Sequence, residues 1–457
     1  MNKSGIYIIG MSDVGESVCA AAGRISTQEG TALEIFERSH DAVKNANLIS
    51  KVTASGHTST VEHIFFNLAF ENVSVVVEQF MIEFRLASFT VKSRRYVDFT
   101  DSGYYVPKFQ CDEDKNEYSA HINSLFALYA KLIESGIPKE DARFVLPYCF
   151  YSNFFCSMGG RELINVLRAM LYGRGRLIPE IYELGLSLLE ECKQKAPGIF
   201  GSFETQYGKN YNDDLNLDFI KKEYCDELRD SVELLSYTKD AEKKVAASAL
   251  IESINLSSDQ IQKVVDDNVQ RSKILSQVLH SSRARALESV NYTVRFNNVS
   301  LSTLTHFTRH RIQSLAVMPL TLCDRGSYII PPSLKDSEEL LNLYVNAFEK
   351  TKALYEKMKS KGYSDGELVY YLLSGNTMDI VTTLNARELK LFMKLRTCNR
   401  AQWEIRDYSK NLLSKLRKVS PELFSAYGPS CFCDGYCPEG RLTCGKMKEI
   451  KEEFDNM

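Results

Sequence analysis

Proline is scarce in this chain, 11 among 457 residues, beside 24 glycines. With 44% hydrophobic and 25% charged residues, that composition excludes a disordered or fibrous protein. A surplus of either charge is missing too. Lys and Arg number 56 against 59 Asp and Glu, a net charge of -3, which excludes a broad electrostatic footprint for a DNA or RNA backbone but not a local anion pocket. No apolar run approaches the roughly 20 residues of a membrane span. The apolar stretch near the N-terminus is too short for a signal h-region and has no A-x-A site. These absences lead to the expectation of a cytoplasmic protein with neither nucleic acid nor membrane as partner. At roughly 100–200 residues per domain, the length suggests two to four domains.

Cysteine is present but unevenly placed. Eight of the 12 are scattered singly (Cys19, Cys111, Cys149, Cys156, Cys192, Cys225, Cys323 and Cys398) and read as reduced, mostly packing thiols. The other four, Cys431, Cys433, Cys437 and Cys444, have the spacing C-x-C-x3-C-x6-C, with Gly435 and Gly440 for tight turns. Four thiolates this close can close on a tetrahedral metal. Zinc is the first choice; an iron–sulfur cluster and a metal-free tail are the alternatives.

A long internal repeat organises the chain. VEHIFFNLAFENVS (61–74) matches LESVNYTVRFNNVS (287–300) at an offset of 226, and the same offset aligns Gly160-Arg161-Glu162-Leu163 with Ala386-Arg387-Glu388-Leu389. The expected layout is a first unit over 1–205, a linker over 206–236, a second unit over 237–427 and a Cys-rich tail over 428–457. The spacing predicts helices over 13–24, 30–52, 115–136, 160–172 and 177–194, and over the residues 219–237 that follow the linker's polar part. Alternation over 64–74 predicts a strand, and Tyr104 to Pro107 a second, shorter one. Each unit is thus α+β. The aromatic run Tyr148 to Phe155 has helical spacing and reads as core. Gly10 to Gly15 lacks the Lys-Ser/Thr of a phosphate loop, so Ser12 or Asp13 is expected to cap a helix instead.

After the strand, the first unit carries FRLASFTVKSRRYVDF (84–99) and the second TRHRIQSLAVMPL (308–320). Clustered cations such as Arg309-His310-Arg311 are costly without an anion or solvent to balance them, and guanidinium matches phosphate oxygens bidentately. A solvated basic turn is the plainer reading of the residues alone.

Arg309-His310-Arg311 followed by Ser314 resembles the signature of the flavin-dependent thymidylate synthases, the ThyX family. Ala87-Ser88-Phe89 followed by Ser93-x-Arg95-Tyr96 resembles the end of that signature. Gly56-His57 with Glu62-His63, Ala142-Arg143 with Leu146-Pro147, Asn385 to Leu389, Leu395-Arg396 and Ala401 to Ile405 are similar to further family segments. The resemblance covers nearly the whole chain, twice, but not the Cys-rich tail. It implies two tandem ThyX-like units, each an antiparallel sheet with packed helices.

The departures from the signature sort themselves. The first unit has Glu83-Phe84 where the second has Arg309-His310. The second has Pro319, Thr321 and Leu322 where the first has Ser93, Arg95 and Tyr96. Arg143 faces Val369, Arg396 faces Met170, and His57 faces Arg283. Neither half holds a full set, but the pair does. The resemblance to a family of homotetramers with shared sites implies a homodimer mimicking that tetramer, with composite sites. Two further departures stand apart from this sorting: Thr90-Val91 in the first unit where the family has Asn-Glu, and His306 in the second where it has Gln.

The resemblance also implies roles. Arg309, His310 and Arg311 line the FAD site, Asn385 and Arg387 contact FAD, and His57 sits by flavin or folate. Ser93, Arg95, Arg143, Arg309 and Arg396 bind dUMP, and Arg396, Arg309 and His57 are the candidate catalytic residues. The expected reaction methylates dUMP to dTMP, with methylenetetrahydrofolate as carbon donor and NADPH as reductant. A non-catalytic flavin- or nucleotide-binding homologue and a flavoenzyme acting on another pyrimidine nucleotide are the alternatives.

Overall fold

The alternation over 64–74 does form a strand, and that strand is central to a sheet. The computed structural model describes residues 4–208, 211, 215, 219–220 and 230–457. β1 (Gly5–Met11), β2 (Phe65–Ser74), β3 (Ser88–Val91) and β4 (Tyr151–Gly159) form an antiparallel sheet in the order β1-β2-β4-β3. β5 (Val232–Tyr237), β6 (Asn291–Ser300), β7 (Gln313–Val317) and β8 (Thr377–Asn385) repeat it as β5-β6-β8-β7.

The repeat reaches single atoms. The pairing of β2 with β4 shifts between Phe70 and Val73, and that of β6 with β8 between Phe296 and Val299. Asn72 (φ 49) and Asn298 (φ 57) hold these bulges in the left-handed region, which Asn tolerates. The Asn72 N–H donates to Asn153 Oδ1 and the Asn298 N–H to Asp379 Oδ1, both at 3.0 Å. Just beyond each bulge, Ser74 caps the helix Val75–Ile82 and Ser300 the helix Leu301–Phe307. Each serine gives its N–H and hydroxyl to one buried carboxylate. Ser74 donates to Glu180 at 2.9 and 2.5 Å, and Ser300 to Glu404 at 2.8 and 2.5 Å.

The compact units do not follow the repeat boundaries. One comprises Met1–Tyr224 with Pro319–Asn376, the other Cys225–Met318 with Thr377–Met457. In the first, the long helices Asp112–Glu134 and Glu338–Ser360 pack together, with His121 Nε2 2.8 Å from Thr351 Oγ1. The Tyr148 N–H donates to the Leu372 carbonyl at 2.7 Å, and the Ser374 N–H to that of Leu146 at 2.9 Å. The 319–376 segment of the second repeat therefore completes the core around the first sheet.

Several local expectations need correction. The stretch 30–52 is two helices, Ala32–Glu37 and Ala42–Ala54, because Asp41 caps a fresh start with its side chain on the Lys44 N–H. The first helix spans Ser17–Ile25 with Glu16 at its cap position. Ser12 instead accepts the Phe65 N–H at 2.9 Å, and so pins the start of β2. Tyr104 makes only an isolated bridge to Phe150. The aromatic run leads into strand β4, not a helix; Tyr148, Phe150 and Phe154 are core, but Phe155 points outward and is 59% exposed. Within 219–237, where the spacing predicts helix, Val232–Tyr237 is β5, and 221–229 lie outside the described residues. Of the linker 206–236, residues 209–210, 212–214, 216–218 and 221–229, Cys225 among them, also lie outside them. Among the described residues no helix is long and apolar enough to cross a membrane.

Burial pushes the Glu180 carboxyl up to about 7, against the lowering effect of its Ser74 and Tyr370 hydrogen bonds. The folded chain therefore holds a proton there that the unfolded chain has lost, so stability falls as pH rises from the ordinary Glu range to about 7. Thermal unfolding of Glu180→Gln is expected to lack that component of the fall between about pH 5 and pH 7.5. Parallel curves for the two proteins would contradict it.

Candidate active site

In the second unit, β6 enters the helix Leu301–Phe307, and the chain turns through Arg309-His310-Arg311 before β7. Buried Gln313 fixes this turn. Its Nε2 donates to the Phe307 carbonyl at 2.6 Å, and its Oε1 accepts from Thr382 Oγ1 at 2.8 Å. Arg309 and Arg311 are exposed, but His310 turns inward and is 3% exposed. Its Nδ1 lies 2.8 Å from Glu388 Oε1, and its Nε2 accepts from Arg396 Nε at 3.1 Å. Arginine has only donors, so the ring proton must sit on Nδ1 and point at Glu388. Burial draws the His310 pKa below its ordinary value; Glu388 opposes this and Arg396 reinforces it. The imidazole is therefore neutral at pH 7. It serves as a wedge that orients Arg396, whose Nη2 also donates to the His306 carbonyl at 3.1 Å.

Other predicted residues of this unit have local duties. Asn385 caps the helix Ala386–Arg396 by accepting the Glu388 N–H at 2.8 Å. Arg387 is exposed and pairs with Glu288. In chemistry, the donor set suits a flavin nucleotide: exposed Arg309 and Arg311 stand on a turn of fixed backbone, and guanidinium matches diphosphate oxygens.

In the first unit Ser93, Arg95 and Arg143 come together around Glu140. Arg95 Nε donates to Glu140 Oε2 at 2.7 Å, Arg143 Nε to the Glu140 carbonyl at 3.1 Å, and the Arg95 N–H to Ser93 Oγ at 3.3 Å. Arg143 is buried and Arg95 half-buried. The neighbouring Arg94 is spent on the core, paired with buried Glu78, which also accepts from Ser152. At the position corresponding to Arg309, Glu83 pairs with Arg174 at 2.6 Å, so this half presents an internally balanced pair there. His57 is exposed at the entry to the 3-10 turn Thr58–His63 and does not cap it.

The tail cysteines are not gathered as expected. Cys433 Sγ lies 3.1 Å from the Gly428 carbonyl and 3.3 Å from that of Ala426, and burial pushes its thiol up to about 11. Among the described residues no three His, Cys, Asp or Glu side chains stand close enough to hold a metal ion. Of the single cysteines, Cys19, Cys149, Cys156, Cys192 and Cys323 are buried as expected, while Cys111 is exposed.

Glu388, Gln313 and Glu140 organise these sites yet do not stand out in the sequence. Glu388 leaves a trace there: it lies two helical turns before Arg396 and three residues after the Asn385 cap.

The family model described as Thymidylate synthase complementing protein matches the chain twice, over residues 8–198 and 233–422. The chain belongs to that family. A flavin-dependent thymidylate synthase from Clostridium tetani is 32% identical over 241 residues, covering 49% of this chain and 96% of that protein. One from Saccharolobus solfataricus is 34% identical over 206 residues, covering 44% of this chain and 78% of that protein. A solved structure of a UMP/dUMP methylase from Streptomyces cacaoi, bound with 5-Br dUMP, aligns with a TM-score of 0.38 and 19% identity over 46% of this chain and 97% of its own.

The tautomer of His310 is directly measurable. Nitrogen chemical shifts should report a neutral ring protonated on Nδ1, titrating below an ordinary histidine. In Glu388→Ala the ring loses its acceptor while Arg396 still donates to Nε2, so Nδ1 should stay protonated and, without the carboxylate that raises its pKa, the ring should titrate lower still. A ring that titrates at or above the ordinary value would contradict this assignment.

Proposed function

We propose that this chain is a flavin-dependent thymidylate synthase that methylates dUMP to dTMP, with methylenetetrahydrofolate as carbon donor, NADPH as reductant and FAD as cofactor. The observation that carries the reading is the His310 wedge. It spends buried Glu388 and His310 on holding the half-buried Arg396 guanidinium in place beside a turn with two exposed arginines. Such a buried polar network costs desolvation, and orienting cations for an anionic ligand is a use that offsets it.

In this reading Arg309 and Arg311 hold the flavin nucleotide's phosphates. Arg396, with its direction set by His310, faces the pyrimidine, where a fixed cation stabilises negative charge developing on the ring. Ser93, Arg95 and Arg143 bind the dUMP phosphate. Bound flavin supplies the redox and one-carbon chemistry. The tandem halves arose by duplication and then specialised, each keeping the residues the other lost, and the chain works as a homodimer.

A second reading has one observation in its favour. Thr90 and Val91, which stand where the family has Asn-Glu, line a cavity of about 320 Å³ in the first unit, together with Lys92 and Phe155. A flavoenzyme acting on another pyrimidine nucleotide would be reshaped at such a place. Turnover assays with dUMP and with other pyrimidine nucleotides decide between the two. dTMP formation from dUMP supports the first; turnover only of another nucleotide supports the second.

Both residue sets are required in this proposal. Arg95→Ala and Arg309→Ala should each lower kcat/KM for dUMP by about ten- to a hundredfold, the loss of one charge-assisted contact of roughly 1.5–3 kcal/mol. Near-full activity in either variant would refute the division of labour. Arg309→Ala should also release FAD, whereas Glu83→Ala should keep it.

A further inference from the structure

The tail beyond the family match closes a cavity against the helix that carries Arg387 and Arg396. The match ends at residue 422. Past it, Tyr427 is fully buried and its hydroxyl donates to the Ala386 carbonyl at 2.9 Å. Arg417 Nη2 holds the Ser425 and Tyr427 carbonyls at 3.2 and 3.1 Å. Cys433, on the short helix Ser430–Cys433, turns back to the carbonyls of Ala426 and Gly428. These contacts fix the tail as a wall. The space between it, the helix Ala386–Arg396 and the end of the helix Asn268–His280 is about 270 Å³.

Its walls are cationic and hydroxylic. Lys390 and Lys394 stand one turn apart on one helix face, and both line the cavity with His280, Ser281 and Ser282. Among the described residues of the wall, Asp434 is the only acid, and it is already spent: both its oxygens accept from Lys394, at 2.6 and 2.8 Å. Lys390 is half-buried and has no such partner among the described residues; it gives one N–H to the Leu279 carbonyl, and two of its three donors remain. Two ammonium groups against one carboxylate leave a surplus positive charge in a partly desolvated place, which is costly without an anion. The His280 ring gives its Nδ1–H to the Ser276 carbonyl at 2.7 Å, so Nε2 is the nitrogen left for a ligand, as acceptor on the neutral ring or donor on the charged one.

We propose that this cavity binds a phosphate group, free or as a phosphomonoester, through Lys390, Lys394 and the hydroxyls of Ser281 and Ser282. A phosphate carries about one and a half to two negative charges and three acceptor oxygens, so it supplies the charge the wall lacks and an acceptor for each kind of donor present. Ammonium groups bind phosphate as compact point charges, without the planar fork that a carboxylate matches best. The volume falls below the roughly 300–1,000 Å³ of sites that enclose a drug-sized ligand, so the cavity takes a phosphate and its nearest atoms and not a whole nucleotide. His280, Ser281 and Ser282 are exposed, which gives the group a way in from solvent. Residues 426–434 form one wall beyond the family match, so the site is an addition to the family fold and uses no step of the proposed methylation.

The test uses the full chain. Its lysines are labelled with an amine-reactive reagent and mapped one by one, with and without inorganic phosphate at constant ionic strength. Phosphate should protect Lys390 and Lys394 but not Lys418, which is exposed and outside the cavity. That readout needs no variant to fold. In direct titration Lys390→Gln should bind phosphate about ten- to a hundredfold more weakly than the wild type, the loss of one charge-assisted contact, and Lys418→Gln should bind as the wild type does. Two ligand pairs that differ by one phosphate then give its source: dUMP against deoxyuridine, and NADP+ against NAD+. Protection of Lys390 and Lys394 by the phosphorylated member alone, at lower concentration than inorganic phosphate needs, supports the site and makes a phosphomonoester its ligand. Protection by inorganic phosphate and by neither pair supports it with free phosphate as the ligand. No protection of Lys390 and Lys394 by any of these, or equal protection of Lys418, overturns the proposal.

Discussion

Each half of this protein depends on one buried contact: a carboxylate beneath the serine that ends the long central strand. Glu180 takes both polar hydrogens of Ser74, and Glu404 both of Ser300. A carboxylate away from water needs donors, and a helix start needs its free N–H groups satisfied. One pair of residues meets both needs. It thereby ties three elements that are distant in sequence: the strand, the short helix after it, and a helix about a hundred residues further on. A bulge at Asn72 or Asn298 stands just before the serine in each half, where the ladder register shifts.

Beyond this junction the two halves differ sharply. Two turns on, the second half presents Arg309 and buries His310 against Glu388. The first half has Glu83 and Phe84 at those positions, and Glu83 is neutralised by Arg174. The scaffold is repeated to the hydrogen bond while the charge at this turn is not: the second half exposes cations there, and the first holds a balanced ion pair. A repeated fold can thus vary its turns without changing its core.

Some of this is legible in the sequence, and the rest is hidden for physical reasons. β2 is readable because one face is buried and the other is not, which leaves a period of two. The run into β4 reads as helix because Tyr148, Cys149 and Phe150 are all buried before the strand begins, and a continuous apolar run carries no period. β5 reads as helix too, because VELLSY is short and its outer residues, Leu235 and Tyr237, are apolar yet exposed. The inward turn of His310 is invisible since the triplet reads as three surface cations; its partner Glu388 lies 78 residues away. The grouping of Ser93, Arg95 and Arg143 around Glu140 is only half visible, through the residues and not through the acid that joins them.

The long helix pair shows why the repeats share one chain. Glu338–Ser360 belongs to the second repeat by sequence, yet it packs on Asp112–Glu134 of the first. Asp114 accepts from Lys361 and from the Tyr363 hydroxyl, Lys357 pairs with Glu117, and the backbones at 144–148 and 372–375 bond to each other. A chain cut between the repeats would leave the first sheet without part of its cover and the second piece with Tyr363, Tyr370 and Tyr371 exposed, which are now buried against Phe109, Tyr105 and Tyr118. Apolar burial of that kind is worth about 1.5–3 kcal/mol for each such side chain. Covalent linkage keeps the two faces at high effective concentration. The core holding each half together is separate from the turns at which the halves differ, so those turns can vary without loss of the fold.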